Sequence, residues 1–131
     1  MLAVSDPQRA IEFYERAFGA EVRWQIGEPA EVAGLVIDGA EVFLARESPS
    51  NGTRSPDGAG ITTVRIELFV DDPQAVQQRA TDAGAKPGSA VALRTHETVA
   101  GRGPLRMMQG GVVDPFGHVW LIGKFLGDSD G

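Results

Sequence analysis

Apolar and polar positions along the chain follow two different periods. Short stretches alternate with a period of two, which is typical of half-buried strands, while two longer stretches carry apolar residues at helical spacing. The apolar stripes are Ala10, Ile11, Tyr14, Ala17 and Phe18 in the first helical stretch, and Ala75, Val76, Ala80 and Ala83 in the second. The pattern predicts two amphipathic helices that pack against strands.

The two helical stretches belong to an internal repeat. Residues 4–8, VSDPQ, recur as residues 70–74, VDDPQ, and Gly19 recurs as Gly84, each followed by alanine. In both copies an aspartate before a proline favours the start of a helix, and the glycine favours its end. We interpret the chain as two copies of one structural module.

Strand patterns surround both helices. Val22, Trp24 and Ile26 alternate with polar neighbours, and Asp38-Gly39 is a typical hairpin turn. Further strands are expected over residues 32–37, 41–45, 61–70, 85–93, 106–113 and 118–125. Each module therefore contains a strand, a helix and three strands. The prediction is an α+β fold in which two tandem βαβββ modules form a curved mixed sheet, a cup, with the helices on its outer face.

The chain is interpreted as a single domain of residues 1–131. Module one covers residues 1–47 and module two covers residues 61–126. Between them, residues 48–60 are rich in glycine and proline, which predicts a linker. The polar tail at residues 127–131 is expected to fray.

The composition excludes several classes of function. The chain has 131 residues and no cysteine, which excludes disulfides, thiolate metal sites and a cysteine nucleophile. Its formal net charge of −6 repels phosphate backbones, so we expect no nucleic-acid partner. The charge favours cationic ligands, although solubility alone also explains it. Without a long apolar run or a secretory signal, we expect a cytoplasmic protein without membrane contact.

Three segments, in this order, resemble the vicinal oxygen chelate superfamily of glyoxalases, bleomycin-resistance proteins and extradiol dioxygenases. Residues 10–22 resemble its first helix and turn, and residues 69–85 resemble its second. Residues 114–120, DPFGHVW, resemble the final hairpin of small bacterial members. The resemblance covers nearly the whole chain. It implies that the strands of each module form a cup and that two cups together hold a ligand, either within one chain or between two chains.

Metal-using members of this superfamily carry one ligand side chain on each of four strands. The matching position before Val70 is Arg65, and the position usually held by glutamate after the last hairpin is Leu121. A third position falls on Phe43, and counting back from Val4 gives no residue. A guanidinium has no lone pair to donate and repels a cation. We therefore expect no metal and no cofactor.

Strand alternation selects the residues of module two that face the cup. The residues expected to pack on the helices are Val64, Ile66, Leu68 and Val70. Arg65, Glu67 and Phe69 then face the cup. The two charged residues either pair with other strands at a wet surface or orient a polar ligand over Phe69.

Five further positions are candidates for ligand binding. Phe43 and Leu121 occupy ligand positions of the superfamily, so the resemblance implies that they line the cup. Trp24 either caps the core or stacks on a flat ligand. Met107 and Met108 open one strand, so one of the two is expected to face the cup.

The remaining candidates concern proton transfer. The long loop at residues 94–104 carries His96, which is either a solvated loop residue or an acid–base group. Glu67 is the other candidate for such a role. His118 matches a histidine usual in the final hairpin and is expected to be structural, and Trp120 is expected to lie in the core.

Three functions follow from these expectations. We favour a homodimeric, metal-free binding protein of the bleomycin-resistance kind, which holds a small aromatic or cationic molecule in its cup. The alternative is a metal-independent acid–base lyase or isomerase that uses Glu67 or His96. A metal-dependent enzyme of the glyoxalase or dioxygenase type ranks third, because the ligand positions carry unsuitable side chains. The sequence does not identify the ligand.

Overall fold

The computed structural model describes residues 1–127. Module one contains β1 (Leu2–Val4), α1 (Pro7–Phe18), β2 (Glu21–Ile26), β3 (Val32–Ile37) and β4 (Ala40–Arg46). The connection to module two contains a 3₁₀ turn (Pro49–Asn51) and the short helix α2 (Pro56–Ala59). Module two contains β5 (Arg65–Phe69), α3 (Pro73–Asp82), β6 (Lys86–Pro87), β7 (Ala92–His96), β8 (Leu105–Val113) and β9 (Val119–Phe125). The tail predicted to fray lies outside the described residues, apart from Gly127.

The two modules build sheets with the same strand order. The first sheet has the order β1-β4-β3-β2, and the second has the order β5-β9-β8-β6, with β7 also paired to β8. In each sheet the first strand of the module runs parallel to the last, while the other pairs are antiparallel. This arrangement of two open mixed sheets and two long helices confirms the predicted α+β class and the tandem βαβββ modules.

Both long helices begin at the predicted residues. The carboxylate of Asp6 accepts a hydrogen bond from the amide of Arg9 at 3.2 Å, and that of Asp72 accepts one from Ala75 at 3.1 Å. Gly19 ends α1 with a φ of 68°, a left-handed conformation that favours glycine. These caps satisfy backbone groups that have no partner inside the helix.

Among residues 1–127, the helices are all too short or too polar to span a membrane.

A single core joins the two modules. Helix α1 packs on α3 and on β3 and β4, whereas α3 packs on β8 and β9. The buried apolar side chains of this core include Val4, Ile11, Leu35, Ile37, Leu44, Val112, Trp120 and Ile122. Arg79 of α3 donates from Nε to the carbonyl oxygen of Arg16 at 2.6 Å, which ties the end of α1 to α3. Each sheet therefore turns one side toward this core and the helices. Its other side, which corresponds to the inside of the predicted cup, points away from the core and is termed the outer face of the sheet from here on.

Asp114 is the polar centre of the core. Its side chain accepts hydrogen bonds from the hydroxyl of Tyr14 at 2.5 Å and from the indole nitrogen of Trp120 at 2.9 Å. It also accepts from the backbone amides of Phe116 and His118 at 2.9 and 3.0 Å. Burial, followed by the charge of Asp114, raises the pKa of Tyr14 well above its usual value. The aspartate thus holds the last hairpin turn and docks α1 on β9.

His118 and Trp120 are buried, as expected from the sequence. The Nε2 atom of His118 lies 2.8 Å from the carbonyl oxygen of Ala3, a contact that links the last hairpin to β1. The Trp120 ring centroid lies 4.7 Å from that of Phe18 and 5.5 Å from that of Tyr14. Both residues therefore connect module two to module one.

Two residues depart from the predicted helix-facing pattern. Val64 is 59% exposed because it precedes β5 and lies outside the ladder with β9, whereas Ile66 and Leu68 pack against the core as expected. Ala75 is exposed as well. It lies about 140° around α3 from the buried Ala80, at roughly 100° per residue, so it faces away from the sheets.

Module two also differs in where one strand lies. The strand predicted over residues 85–93 is divided into β6 and β7, both of which pair with β8. The ladder of β7 continues until His96 pairs with Leu105. His96 is therefore a strand residue, and the loop predicted over residues 94–104 is shortened to residues 97–104.

Candidate functional site

The outer face of module one is aromatic. Trp24 and Phe43 flank Gly34 in the ladder across β2, β3 and β4. The two side chains are 37% and 38% exposed, and their ring centroids lie 5.3 Å apart at an angle of 61°. Ile26 lies beside them and is 60% exposed. This surface, formed by Trp24, Ile26, Gly34 and Phe43, is termed the aromatic face.

A β-bulge in β2 decides which side chains reach the aromatic face. The ladder shifts between Val22 and Trp24, where one extra residue is inserted. Val22 pairs with Leu35, a core residue, so it does not share a side with Trp24. The strict alternation predicted for this strand is therefore wrong. Glu21 instead shares the side of Trp24, because it pairs with the outward-facing Val36.

The outer face of module two combines charged and aromatic side chains. Arg65, Glu67 and Phe69 of β5 are exposed on the side opposite the core-packed Ile66 and Leu68. Strand alternation predicted this orientation from the sequence.

Two contacts organise this second face. The side-chain amide nitrogen of Gln109, Nε2, donates a hydrogen bond to the Glu67 carboxylate at 3.2 Å. The ring of Phe69 stacks on that of Phe125, with centroids 4.6 Å apart and planes at 19°. This surface is termed the mixed face, and it is formed by Arg65, Glu67, Phe69, Met107, Gln109, Leu121 and Phe125.

The ladder also assigns Leu121 and the two methionines. Leu121 pairs with Glu67, so it lies on the mixed face. Met107 pairs with Phe125 and shares that face, although it is only 4% exposed. Met108, the next residue along the strand, faces the opposite side, so it does not line the mixed face.

His96 lies far from Glu67. Glu67 is level with Leu121 in the sheet, whereas Phe125 lies four residues further along β9. His96, which pairs with Leu105, lies two residues beyond the level of Phe125. Six residues of strand correspond to roughly 20 Å. The two candidate acid–base groups therefore cannot act together on one atom of a small ligand.

The side chains at the superfamily's metal positions do not fit a divalent ion. Arg65 and Leu121 lie on the mixed face, while Phe43 lies on the aromatic face. A guanidinium, an isobutyl group and a benzyl group offer no lone pair to a hard cation. Within residues 1–127, no three histidine, cysteine or acidic residues come together in a way that could hold a metal.

A cavity of about 640 Å³ opens where the two modules meet. Phe69 and Phe125 form part of its wall, together with Phe18 of α1 and the charged side chains of Arg79 and Lys124. A volume of this size is in the range of small-molecule sites. Through the two stacked phenylalanines, the cavity adjoins the mixed face.

Several residues of the two faces were not selected from the sequence. Phe125 could have been found by counting alternate residues onward from Leu121. Gln109 gives no such signal, because its contact with Glu67 depends on the register across three strands. Glu21 was hidden by the bulge.

Comparison with known proteins supports one family. A profile of the Glyoxalase/Bleomycin resistance protein/Dioxygenase superfamily matches residues 1–122. An uncharacterized protein of Mycobacterium bovis is 34% identical over 129 residues, which covers 94% of this chain and 79% of its own. An uncharacterized protein of Mycobacterium tuberculosis H37Rv is also 34% identical, with 71% of its length covered.

Solved structures with the same fold include two bacterial proteins. TioX from Micromonospora sp. is 27% identical with a TM-score of 0.68, covering 95% of this chain and 94% of its own. A mutant of the fosfomycin resistance protein FosX from Listeria monocytogenes, in complex with Mn(II), is 16% identical with a TM-score of 0.58. That match covers 92% of this chain and 82% of FosX, and it shows the fold alone. This chain belongs to the glyoxalase/bleomycin resistance protein/dioxygenase superfamily.

Proposed function

We propose that this protein binds a small aromatic or cationic molecule on the outer faces of its sheets and needs no metal to do so. The observation that carries the proposal is the neighbouring pair Trp24 and Phe43, both more than a third exposed. Large aromatic side chains that remain exposed together on a folded domain mark an interaction surface. Their flat faces suit stacking on a planar ligand.

The mixed face adds polar recognition to this aromatic surface. Gln109 holds the Glu67 carboxylate in one orientation, and an exposed carboxylate attracts a cationic group. Arg65, two residues away, can pair with an acceptor on the ligand. The stacked Phe69 and Phe125 provide apolar contact beside these charges. Membership of a superfamily that includes bleomycin resistance proteins is consistent with drug binding.

The metal-free part of the proposal rests on donor chemistry. Catalytic metals need carboxylate or imidazole ligands in a fixed geometry. Arg65 and Leu121 supply neither, and the cationic guanidinium of Arg65 repels a metal ion. No step of the proposed function therefore passes through a metal.

Fluorescence quenching tests the binding proposal. Purified protein, dialysed against a chelator, is titrated with a panel of planar and cationic compounds that includes bleomycin. We expect quenching of Trp24 at micromolar concentrations by at least one planar compound, and a Trp24→Phe variant should lose that signal. The buried Trp120 gives the constant background. Absence of binding across the panel contradicts the proposal.

We further propose that the protein is a homodimer. The exposed apolar residues on the two outer faces include Trp24, Ile26, Phe43, Phe69, Leu105 and Phe125. A monomer seldom leaves two such surfaces open to water. A second copy related by a two-fold axis can set its mixed face opposite the aromatic face of the first. The apolar edges of the faces then meet, and each pair of faces encloses a cleft that can hold the ligand.

Sedimentation equilibrium tests the dimer. We expect the mass of two chains for the wild-type protein. Ile26→Lys, on the most exposed apolar residue of the aromatic face, should shift the equilibrium to one chain without loss of secondary structure. Gln25→Lys is the matched control, because the ladder turns Gln25 to the other side of the same strand. A wild-type protein that stays monomeric at high concentration contradicts the dimer.

A metal-independent lyase or isomerase is the second candidate. The observation that favours it is the fixed carboxylate of Glu67, which could accept a proton from a ligand on the mixed face. His96 lies too far along the sheet to assist. If Glu67 is catalytic, Glu67→Gln abolishes turnover of a substrate while its binding persists. If the protein only binds, no compound of the panel is chemically altered by the wild-type protein.

A further inference from the structure

Gly34 occupies the centre of the aromatic face for a steric reason. The indole of Trp24 lies directly over it, with the nitrogen-bearing edge of the ring against the backbone. A Cβ atom added at Gly34 would overlap Nε1, and would lie 2.5 Å from Cε2 and 2.9 Å from Cζ2. Real Cβ atoms do not approach other heavy atoms so closely. Any larger residue at this position must displace the indole.

The Trp24 and Phe43 rings are in edge contact, and the open angle on their exposed side is termed the notch. The Trp24 ring lies over Gly34, Phe43 is the ladder partner of Gly34 on β4, and the two ring planes make an angle of 61°. Each of the two residues keeps more than a third of its surface in water. A planar molecule can stack against one ring while its edge meets the other, which is the offset geometry that aromatic groups prefer.

Two carboxylates flank this notch on the same side of the sheet. Glu21 and Glu41 both pair with Val36, one on each side of β3, in the row next to Trp24, Gly34 and Phe43. Rows on one face of a sheet are about 7 Å apart, within reach of a ligand that lies on the rings. Among residues 1–127, neither side chain has a hydrogen-bond or ion-pair partner.

The bulge is what brings one of these carboxylates to the notch. With regular alternation, Glu21 and Trp24 would lie on opposite sides of β2, because they are three residues apart. The extra residue at the bulge, Arg23, brings both to the same side. Two independent features, a glycine and an inserted residue, therefore produce a single surface of two aromatic rings and two free carboxylates.

We propose that this surface is a recognition site for a planar organic cation, and that Gly34 is the positioning residue that keeps the Trp24 ring in place. The inference rests on the proposed binding function and deepens it by naming the ligand class and its location. A delocalised cation gains binding energy from both the rings and the carboxylates, since aromatic faces attract positive charge and the carboxylates complement it. A neutral planar molecule gains only the stacking, and a planar anion is repelled.

Three planar dyes of one ring system test the charge requirement. Proflavine is the cation, acridine at pH 8 is the neutral form, and acridine-9-carboxylate is the anion, each followed by fluorescence anisotropy against the chelator-treated protein. We expect the affinity order cation, neutral, anion. The Glu21→Gln/Glu41→Gln variant should weaken proflavine binding by about tenfold and leave acridine unchanged, as expected for two exposed charges. Both substitutions are on exposed side chains, so folding is retained.

A pair of glycine variants tests the positioning role. Gly34→Ala should weaken proflavine and acridine alike by about tenfold or more and shift the emission of Trp24, because the ring is displaced. Gly58→Ala is the matched control, since a Cβ there meets only ordinary contacts of 3.6 Å or more. In a Trp24→Ala background, Gly34→Ala should cost no further affinity, because the ring that it displaces is gone.

The outcomes separate the inference from the function on which it rests. If proflavine binds but neither the Gly34 nor the glutamate variants weaken it, the notch is not the site and the inference is overturned, while the binding function stands. If the anion binds as tightly as the cation, the ligand class is wrong. If no dye and no compound of the wider panel binds, the proposed function fails together with the inference.

Discussion

The two sides of the sheets differ in what they do. On the side that faces the helices, Asp114 satisfies four donors, and the side chains from both modules are almost fully buried. On the outer side, aromatic rings and free carboxylates remain in contact with water. The internal repeat duplicates the strand order and the aspartate caps at the helix N-termini, but it does not duplicate the outer faces. One is aromatic and acidic, while the other holds the Glu67–Gln109 pair. The inner side therefore specifies the fold, and the outer side is free to specify binding.

The largest effect is expected from removal of the polar centre. Asp114→Ala leaves the Tyr14 hydroxyl, the Trp120 indole and two backbone amides buried without an acceptor, and should reduce the free energy of unfolding by at least about 3 kcal/mol. Urea denaturation followed by circular dichroism measures this loss. Asp71→Ala, at an exposed aspartate, should stay within about 0.5 kcal/mol of wild type. Equal stabilities for the two variants would contradict the role assigned to Asp114.

Removal of one hydrogen-bond donor to the Asp114 carboxylate should lower the free energy of unfolding by less. Tyr14→Phe keeps the ring in the core but loses the 2.5 Å hydrogen bond to Asp114. The expected loss in unfolding free energy is about 1.5–3 kcal/mol, the range for a hydrogen bond to a charged acceptor. Binding of a planar dye at the outer faces should be unchanged below the unfolding transition. A variant that is as stable as wild type would show that the bond makes no net contribution.

The raised pKa of Tyr14 predicts a response to alkaline pH. Below about pH 10, the usual pKa of tyrosine, the hydroxyl is protonated in both the folded and the unfolded chain, so its contribution to stability is complete. Above that pH the unfolded chain loses the proton first, and the stability falls as the pH rises toward the folded pKa. Tyr14 is the only tyrosine, so phenolate absorbance at 295 nm reports its ionisation directly. We expect that absorbance to appear together with unfolding, and ionisation near pH 10 in a folded protein would contradict this.

The helix ends and the core-facing strand residues could be predicted from the sequence. Asp6, Asp72 and Gly19 marked the helix ends, because capping depends on local chemistry that a sequence displays. Ile66 and Leu68 were assigned to the core because a period of two needs no knowledge of the partner strands. The same reasoning failed at Val22, since a bulge has no reliable sequence signal. After the bulge, each side chain of the strand lies on the side opposite to the one that regular alternation assigns.

The outer faces were harder to predict than the inner side. Gln109 and Glu67 meet only because β9 separates their strands in a particular register, which the spacing of apolar residues does not encode. The polar residues around His96 predict a loop, whereas pairing with β8 keeps it in a strand. The role of Gly34 depends on where the Trp24 ring lies, which only the tertiary structure reveals.

A smaller change in stability, with a clear change in binding, is expected at the aromatic face. Trp24→Ala should lower the unfolding free energy by about 1 kcal/mol, because the ring is already partly in water, and weaken a planar ligand by at least about tenfold. Trp120→Ala should instead cost about 3–5 kcal/mol, as for other buried tryptophans. Dye titration and urea denaturation on the same two variants test the contrast. Similar stability losses for both would remove the distinction between the two sides.

The smallest effect is expected at the mixed face. Glu67→Gln keeps the size of the side chain and removes its charge, so unfolding free energy should change by less than about 0.5 kcal/mol. Proflavine affinity should fall by no more than about threefold if the dye binds at the aromatic face, since Glu67 is a single exposed charge that is hydrogen-bonded to Gln109 and lies outside that face. Anisotropy titration measures this change. A larger loss than that caused by Glu21→Gln/Glu41→Gln would move the site to the mixed face.

We propose that the outer faces bind a planar ligand without a metal. Proflavine titration of the chelator-treated protein, repeated after addition of Mn²⁺ or Zn²⁺, tests it most directly. We expect the same dissociation constant in all three conditions, and loss of binding in Trp24→Ala. Binding that appears only after a metal is added, or that survives the loss of Trp24 unchanged, would contradict it.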